Sequence, residues 1–297
     1  MTSLPKSPPN LNPHFKTNIE TGEKVELAAD LSLQGLSLSG IRTSIAIPEL
    51  SIGFDVAQGL PFNLHLKKYF LTHAHLDHAA GVPYIISQKN MHNEPTAEFY
   101  MPESMVAPLS EIMRLWSQLE DHQYRFEFIP MTEKSEVEIN SKYSVRPMPT
   151  LHRVPSLGYT VMSKNKKLKK EFSHLKGHDI QKAKAQGQAV DEILETPLIS
   201  FTGDTQIEFL DMSEHARKSK YLLMECTYLD SKKSVEHART WGHTHLDEIL
   251  PRLKDIESEK IFLIHASSRY STREALEILK ARLPSSEQDR VILFPGR

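Results

Sequence analysis

The chain has 297 residues, 39% of them hydrophobic and 25% charged, with a formal net charge of −2. That length suits one large two-layer domain or two small ones, and the near-zero charge excludes a binder that holds nucleic acid by bulk electrostatics. No run approaches the roughly 20 apolar residues of a membrane-spanning helix, and the lone cysteine, Cys226, excludes an intrachain disulfide. A reducing compartment, the cytoplasm, is the expected location, with no membrane partner.

In chain order, the opening stretch carries Pro5, Pro8, Pro9 and Pro13 among polar residues and has no charged-then-apolar leader. Residues 1–30 are therefore expected to form a flexible tail and 31–297 the folded domain. Residues 33–56 read as successive short strands broken by Gly and Pro. A further apolar run, Tyr69–Leu71, ends in Thr72 and then in His73-Ala74-His75-Leu76-Asp77-His78. Four potential ligands in six residues converge only where the chain turns sharply, at a strand end entering a helix. Imidazole and carboxylate together suit zinc first, then manganese or iron.

From Glu103 to Leu119, Met105, Leu109, Ile112, Met113, Trp116 and Leu119 are predicted to share one face of a helix. His152 follows the extended segment Val145–Pro149. Lys164, Lys166, Lys167, Lys169, Lys170 and Lys176 follow, in a lysine-rich insertion around 164–195. A charge run of this kind is usually a solvated face. Leu198–Phe201 leads to Gly203-Asp204, Tyr221–Met224 to Glu225, and Ile261–Ile264 to His265. An unpartnered His or Asp at the end of a buried strand is costly unless a partner or a metal satisfies it. A helix is expected from Leu246, interrupted by Pro251, and Ser271 to Glu274 offers a capping box before Leu276, Leu279 and Leu283. Strands alternating with these helices predict an αββα sandwich of two mixed β-sheets with outer helices.

His-x-His-x-Asp-His, a later His, a Gly-Asp and a final His after an apolar strand resemble the metallo-β-lactamase superfamily over residues 33–297. The resemblance implies two metal ions per chain. His73, His75 and His152 would hold one; Asp77, His78 and His265 would hold the other; Asp204 would bridge them. A pair of ions about 3.5–4 Å apart would generate the attacking hydroxide. Met224-Glu225-Cys226-Thr227-Tyr228-Leu229, Val235–His243 and Pro155-Ser156-Leu157-Gly158-Tyr159 are similar to ribonuclease Z in its short, plant-type form.

That second resemblance implies an endoribonuclease that removes the 3′ trailer from precursor tRNA. Glu225 would hold His243 protonated as general acid for the leaving ribose oxygen, and Asp77 would position or deprotonate the water. Cys226 is read as a small buried filler. The six lysines would grip the RNA from a protruding arm, and two copies would form a homodimer. His245 either approaches the site or caps a helix, and His237 supports the site or the fold. Two other readings stand beside this one: another phosphodiesterase or small-molecule hydrolase, acting on a cyclic nucleotide or lactone, and a non-catalytic RNA-binding scaffold.

Overall fold

The computed structural model describes residues 20–27 and 30–294. Two seven-stranded sheets face each other. The first runs, in spatial and chain order alike, β1 (Glu23–Glu26), β2 (Ser32–Leu38), β3 (Arg42–Ile47), β4 (Ile52–Phe54), β5 (Lys68–Phe70), β6 (Ala97–Pro102) and β7 (Phe126–Met131). The second runs β8 (Val137–Asn140), β9 (Tyr143–Pro149), β10 (Leu157–Leu168), β11 (Asp191–Phe201), β12 (Tyr221–Glu225), β13 (Lys260–Ile264) and β14 (Val291–Leu293). Each sheet begins with antiparallel ladders and turns parallel, at β4–β5 in one and at β11–β12 in the other.

Helices α1 (Leu76–Ala79), α2 (Val82–Met91) and α3 (Glu103–Glu120) join strands of the first sheet. Helix α4 (Gly177–Ala185) lies between β10 and β11. Between successive strands of the second sheet from β11 to β14 come α5 (Phe209–Met212) and α6 (Glu214–Lys218), then α7 (Val235–Thr240) and α8 (Leu246–Ile249), then α9 (Thr272–Arg282). The parallel strands are apolar on both faces, as Ile261, Phe262, Leu263 and Ile264 of β13 show, because each must be covered twice. Between the sheets lie Phe54, Phe70, Tyr159, Phe201, Phe262 and Phe294, with Phe54 stacked on Phe201 at 5.2 Å. Outside, residues of α2 and α3 cover the first sheet, and residues of α5, α6, α8 and α9 cover the second. This is the expected αββα sandwich.

Four details depart from the sequence reading or refine it. Glu23–Glu26, inside the stretch expected to be a tail, pairs antiparallel with β2, because alternating residues suit an edge strand; residues 1–19 lie outside those described. On α3, Met105 and Met113 are buried and Leu109 packs beside them, but Ile112, Leu115, Trp116 and Leu119 are exposed. A 3.6-residue period lets two neighbouring stripes read as one, and only packing tells which is covered. The helix from Leu246 gives way at Leu250 to a 3₁₀ turn reaching Asp255, as Pro251 demands. Ser271 caps α9 through the amide of Glu274, while the Glu274 carboxylate turns to Lys232 instead of closing a box.

Candidate metal centre

The chemistry-bearing residues follow strand ends on one rim of the sandwich. Asp55 follows β4, Thr72 and His73 follow β5, His152 lies in the loop after β9, Asp204 follows β11, Glu225 ends β12, and His265 follows β13. Loops at the carboxyl ends of parallel strands converge, and the rigid sheets fix where their first residues point. The turn out of β11 needs a glycine. Gly203 has φ +60°, and a Cβ there would lie 2.7 Å from the Thr72 side chain. Asp55 and His265 also adopt positive φ, at +51° and +60°, without being glycine. That backbone cost, of order 1–3 kcal/mol each, persists only where surrounding structure dictates it.

Ligand-capable atoms of His73, His75, His152 and Asp204 lie within 4.8 Å of one another, and so do those of Asp77, His78 and His265. Asp204 stands between the groups: one oxygen is 3.3 Å from both His78 Nε2 and His265 Nε2, and the other is 3.7 Å from His73 Nε2. His243 also approaches, with Nδ1 3.9 Å from Asp204 and 3.1 Å from Glu225.

The outer partners of these rings decide which nitrogen faces inward. Thr72 Oγ1 donates to Asp55 at 2.9 Å and so accepts from His73 Nδ1, also at 2.9 Å. His78 Nδ1 donates to Asp55 at 2.7 Å. Thr227 Oγ1 donates to Glu225 at 2.8 Å and accepts from His265 Nδ1 at 3.1 Å. His152 Nδ1 donates to the Gly242 carbonyl at 2.8 Å. Four rings thus spend their Nδ1 protons outward and turn Nε2 lone pairs toward the centre, the usual arrangement behind a ligating imidazole.

Two of these Nε2 atoms meet His75 Nδ1, with at most one proton for the three to share. His75 Nδ1 is 3.1 Å from His73 Nε2 and 3.3 Å from His152 Nε2, and it can donate to only one of them. His78 Nε2 and Asp204 Oδ1 are buried without a hydrogen-bond partner. Such a set of inward acceptors fits cations and is otherwise costly. The field favours that fit at His73; at His78 burial opposes charge, but the Asp204 and Asp55 carboxylates outweigh it and raise the imidazole well above its usual range, so a cation there would take the place of a proton. Burial, then His78, holds the His73 ring well below its usual range, so it is neutral, as a ligand must be. Burial would raise the Asp204 carboxyl, but His265 and His78 bring it well below the ordinary carboxylate range.

Glu225 is fully buried and accepts from three donors: the Thr205 amide at 2.6 Å, Thr227 and His243 Nδ1. Burial disfavours charge on His243, yet the Glu225 carboxylate outweighs it and raises the imidazolium to about 9. A ring raised in that way keeps its proton at neutral pH.

Asp77 accepts from the Gly40 amide at 2.9 Å, which ties the cluster to the β2–β3 turn. His245 turns away: its Nδ1 accepts from the Asp247 amide, its Nε2 donates to the Asp230 carbonyl, and it caps α8. His237 lies on α7 with its ring 5.5 Å from Tyr228. Cys226 is fully buried in the core against the second sheet.

The six lysines separate. Lys164, 13% exposed, is ringed by Glu136, Glu138 and Glu195, so its charge is spent inside the sheet. Lys166, Lys167, Lys170 and Lys176 are exposed and Lys169 half-buried, along a β10–β11 hairpin that carries α4. The roles of Asp55, Thr72 and Thr227 behind the rings were not apparent from the sequence. The one available signal was polar residues next to the His-rich ends of apolar runs.

A model of the beta-lactamase superfamily domain matches residues 63–266. A relative from Arabidopsis thaliana, tRNase Z TRZ2, chloroplastic, is 34% identical over 263 residues, covering 88% of this chain and 74% of its own length. A second from the same plant, tRNase Z TRZ1, is 32% identical over 257 residues, covering 86% of this chain and 92% of the relative. Among solved structures, human tRNase Z, short form, shares the fold with a TM-score of 0.55 at 16% identity, over 89% of this chain and 96% of that one.

Proposed function

The chain belongs to the tRNase Z family of the beta-lactamase superfamily, and from that membership we infer how its own residues perform metal-dependent 3′ processing of precursor tRNA. The observation that carries the inference is the Glu225–His243 pair set beside a cluster of inward-facing lone pairs. We assign His73, His75, His152 and Asp204 to one metal ion, and Asp77, His78, His265 and Asp204 to a second. The nitrogen-rich donor set favours zinc, with manganese or iron as weaker fits. When bound, such ions supply Lewis acidity and make water a nucleophile at neutral pH.

The protein groups do the rest. Cleavage expels a ribose 3′-oxygen, a poor leaving group until protonated. His243 holds the proton it needs, and Glu225, fixed by Thr205 and Thr227, keeps that proton in place and orients the ring. Asp77, held by Gly40, orients the attacking water. The hairpin lysines Lys166, Lys167, Lys169, Lys170 and Lys176 supply phosphate contacts to the RNA body, and Lys164 stiffens the base of the arm. We take residues 31–297 as one domain that includes this arm.

Two copies pairing as a homodimer are supported by the uncovered stripe Ile112, Leu115, Trp116 and Leu119 on α3, spaced as an apolar seam. Among the described residues no helix is long and apolar enough to cross a membrane. The buried free thiol of Cys226 supports a reducing compartment, and the cytoplasm is the one we propose.

The test is cleavage of a 3′-extended precursor tRNA by purified protein, before and after a chelator and after added zinc or manganese. Cleavage that is lost on chelation and regained with zinc is expected. Cleavage indifferent to the chelator would overturn the metal assignment.

A further inference from the structure

Trp241 is a large apolar side chain left 48% exposed just after α7 and two residues before His243. Its position is held from two sides. Gly242, at φ +76°, places its carbonyl 2.8 Å from His152 Nδ1, and a Cβ there would lie 2.7 Å from that nitrogen and 3.0 Å from the Arg153 amide nitrogen. The backbone of residues 152–153 therefore lies directly against that of 241–243. Arg153 sets its guanidinium 4.6 Å from the Trp241 ring centroid. Arg153 is exposed, and among the described residues no carboxylate pairs with it. A broad ring backed by an uncompensated cation thus stands at the rim of the metal cluster.

This inference rests on the reading of His243 as the acid for the leaving 3′-oxygen. The nucleotide that carries that oxygen must sit against His243, so its base falls beside a side chain only two residues away. An aromatic face accepts any base by stacking, and a guanidinium behind it strengthens the platform. We propose that Trp241, backed by Arg153, is the stacking platform for the nucleobase immediately 5′ of the scissile bond, and so positions the leaving nucleotide for His243.

The experiment uses the full-length, metal-loaded enzyme and two 3′-extended precursor tRNAs, one intact and one abasic at the nucleotide 5′ of the cut. On the intact substrate Trp241→Ala raises KM about tenfold, while on the abasic substrate the variant and the parent differ by less than about twofold. Trp241→Phe recovers most of the loss. An equal loss on both substrates would overturn the proposal, because Trp241 would then only prop the loop that holds His152 and His243. A Phe variant as impaired as the Ala variant would overturn it too. Failure of the parent enzyme to cut even the intact precursor would instead overturn the underlying reading of the site, so the two failures are distinct.

Discussion

At the scale of single residues, the centre works through who holds each proton. His243 is raised to about 9 because the Glu225 carboxylate outweighs the cost of burial. A group raised in this way is protonated below that pKa and loses its proton as pH rises through it, so an acid role predicts a rate that falls on the alkaline side. In Glu225→Gln the anionic partner is gone, the imidazolium is less favoured, and the falling limb moves to lower pH. Measuring kcat against pH for both proteins checks this, and an unmoved limb would remove His243 from the acid role. Asp55 acts one step back: it is fully buried, and Thr72 and His78 both donate to it. Asp55→Asn cannot accept both donors in the same way, and metal affinity should fall by roughly 10–100-fold. Competition with a chromophoric chelator reads that loss, with circular dichroism as the check that the fold persists.

The β10–β11 hairpin is the element whose meaning depends most on its surroundings. Its ladder runs from Tyr159 opposite Phe201 in the core out to Leu168 opposite Asp191. The inner half is buried and the outer half is charged, so the same two strands serve as sheet and as arm. Arg146 and Lys164 with Glu136, Glu138 and Glu195 form an ionic knot where one gives way to the other. Replacing Lys166, Lys167, Lys170 and Lys176 together by Ala should weaken precursor binding. The slope of log affinity against log salt should flatten by about one for each phosphate that the arm no longer neutralises. Cleavage of a short unfolded RNA, which has no body for the arm to hold, should hardly change. If Lys164→Ala alone flattened the salt dependence as much as the four exposed lysines, the arm reading would fail.

For the molecule as a whole, the two sheets repeat one plan, antiparallel ladders passing into parallel ones, and the cluster lies where their parallel strands end. The ligand-capable side chains come from both halves, Asp77 meeting His265 across 188 residues of sequence. The cluster therefore ties one half of the sandwich to the other. The uncovered α3 stripe is the other feature that belongs to this scale. Leu115→Asp with Leu119→Asp should leave the fold intact and yield a monomer in sedimentation velocity. A pair of copies that survived the double substitution would place the dimer surface elsewhere.

Much of this was legible along the chain because ligand chemistry is local. Strand ends at His73, Asp204, Glu225 and His265 are apolar runs closed by groups that cannot stay buried alone, and periodicity and residue type reveal them without coordinates. The αββα class followed from the same alternation. What stayed hidden depends on contacts between distant segments. Asp55 reaches Thr72 and His78 17 and 23 residues away, and His152 leans on Gly242 at a separation of 90. Lys164 looks like its neighbours along the chain, yet folding brings three carboxylates from other segments around it. The α3 seam merged with the buried stripe because a helical period records which residues are apolar and not which of them a sheet covers. By itself the sequence determined the polar residue types that gather at the rim, the strand ends and the fold class. Tertiary structure alone decided which nitrogen faces inward, which lysine is free and which apolar face is left open, because those depend on partners that only folding brings together.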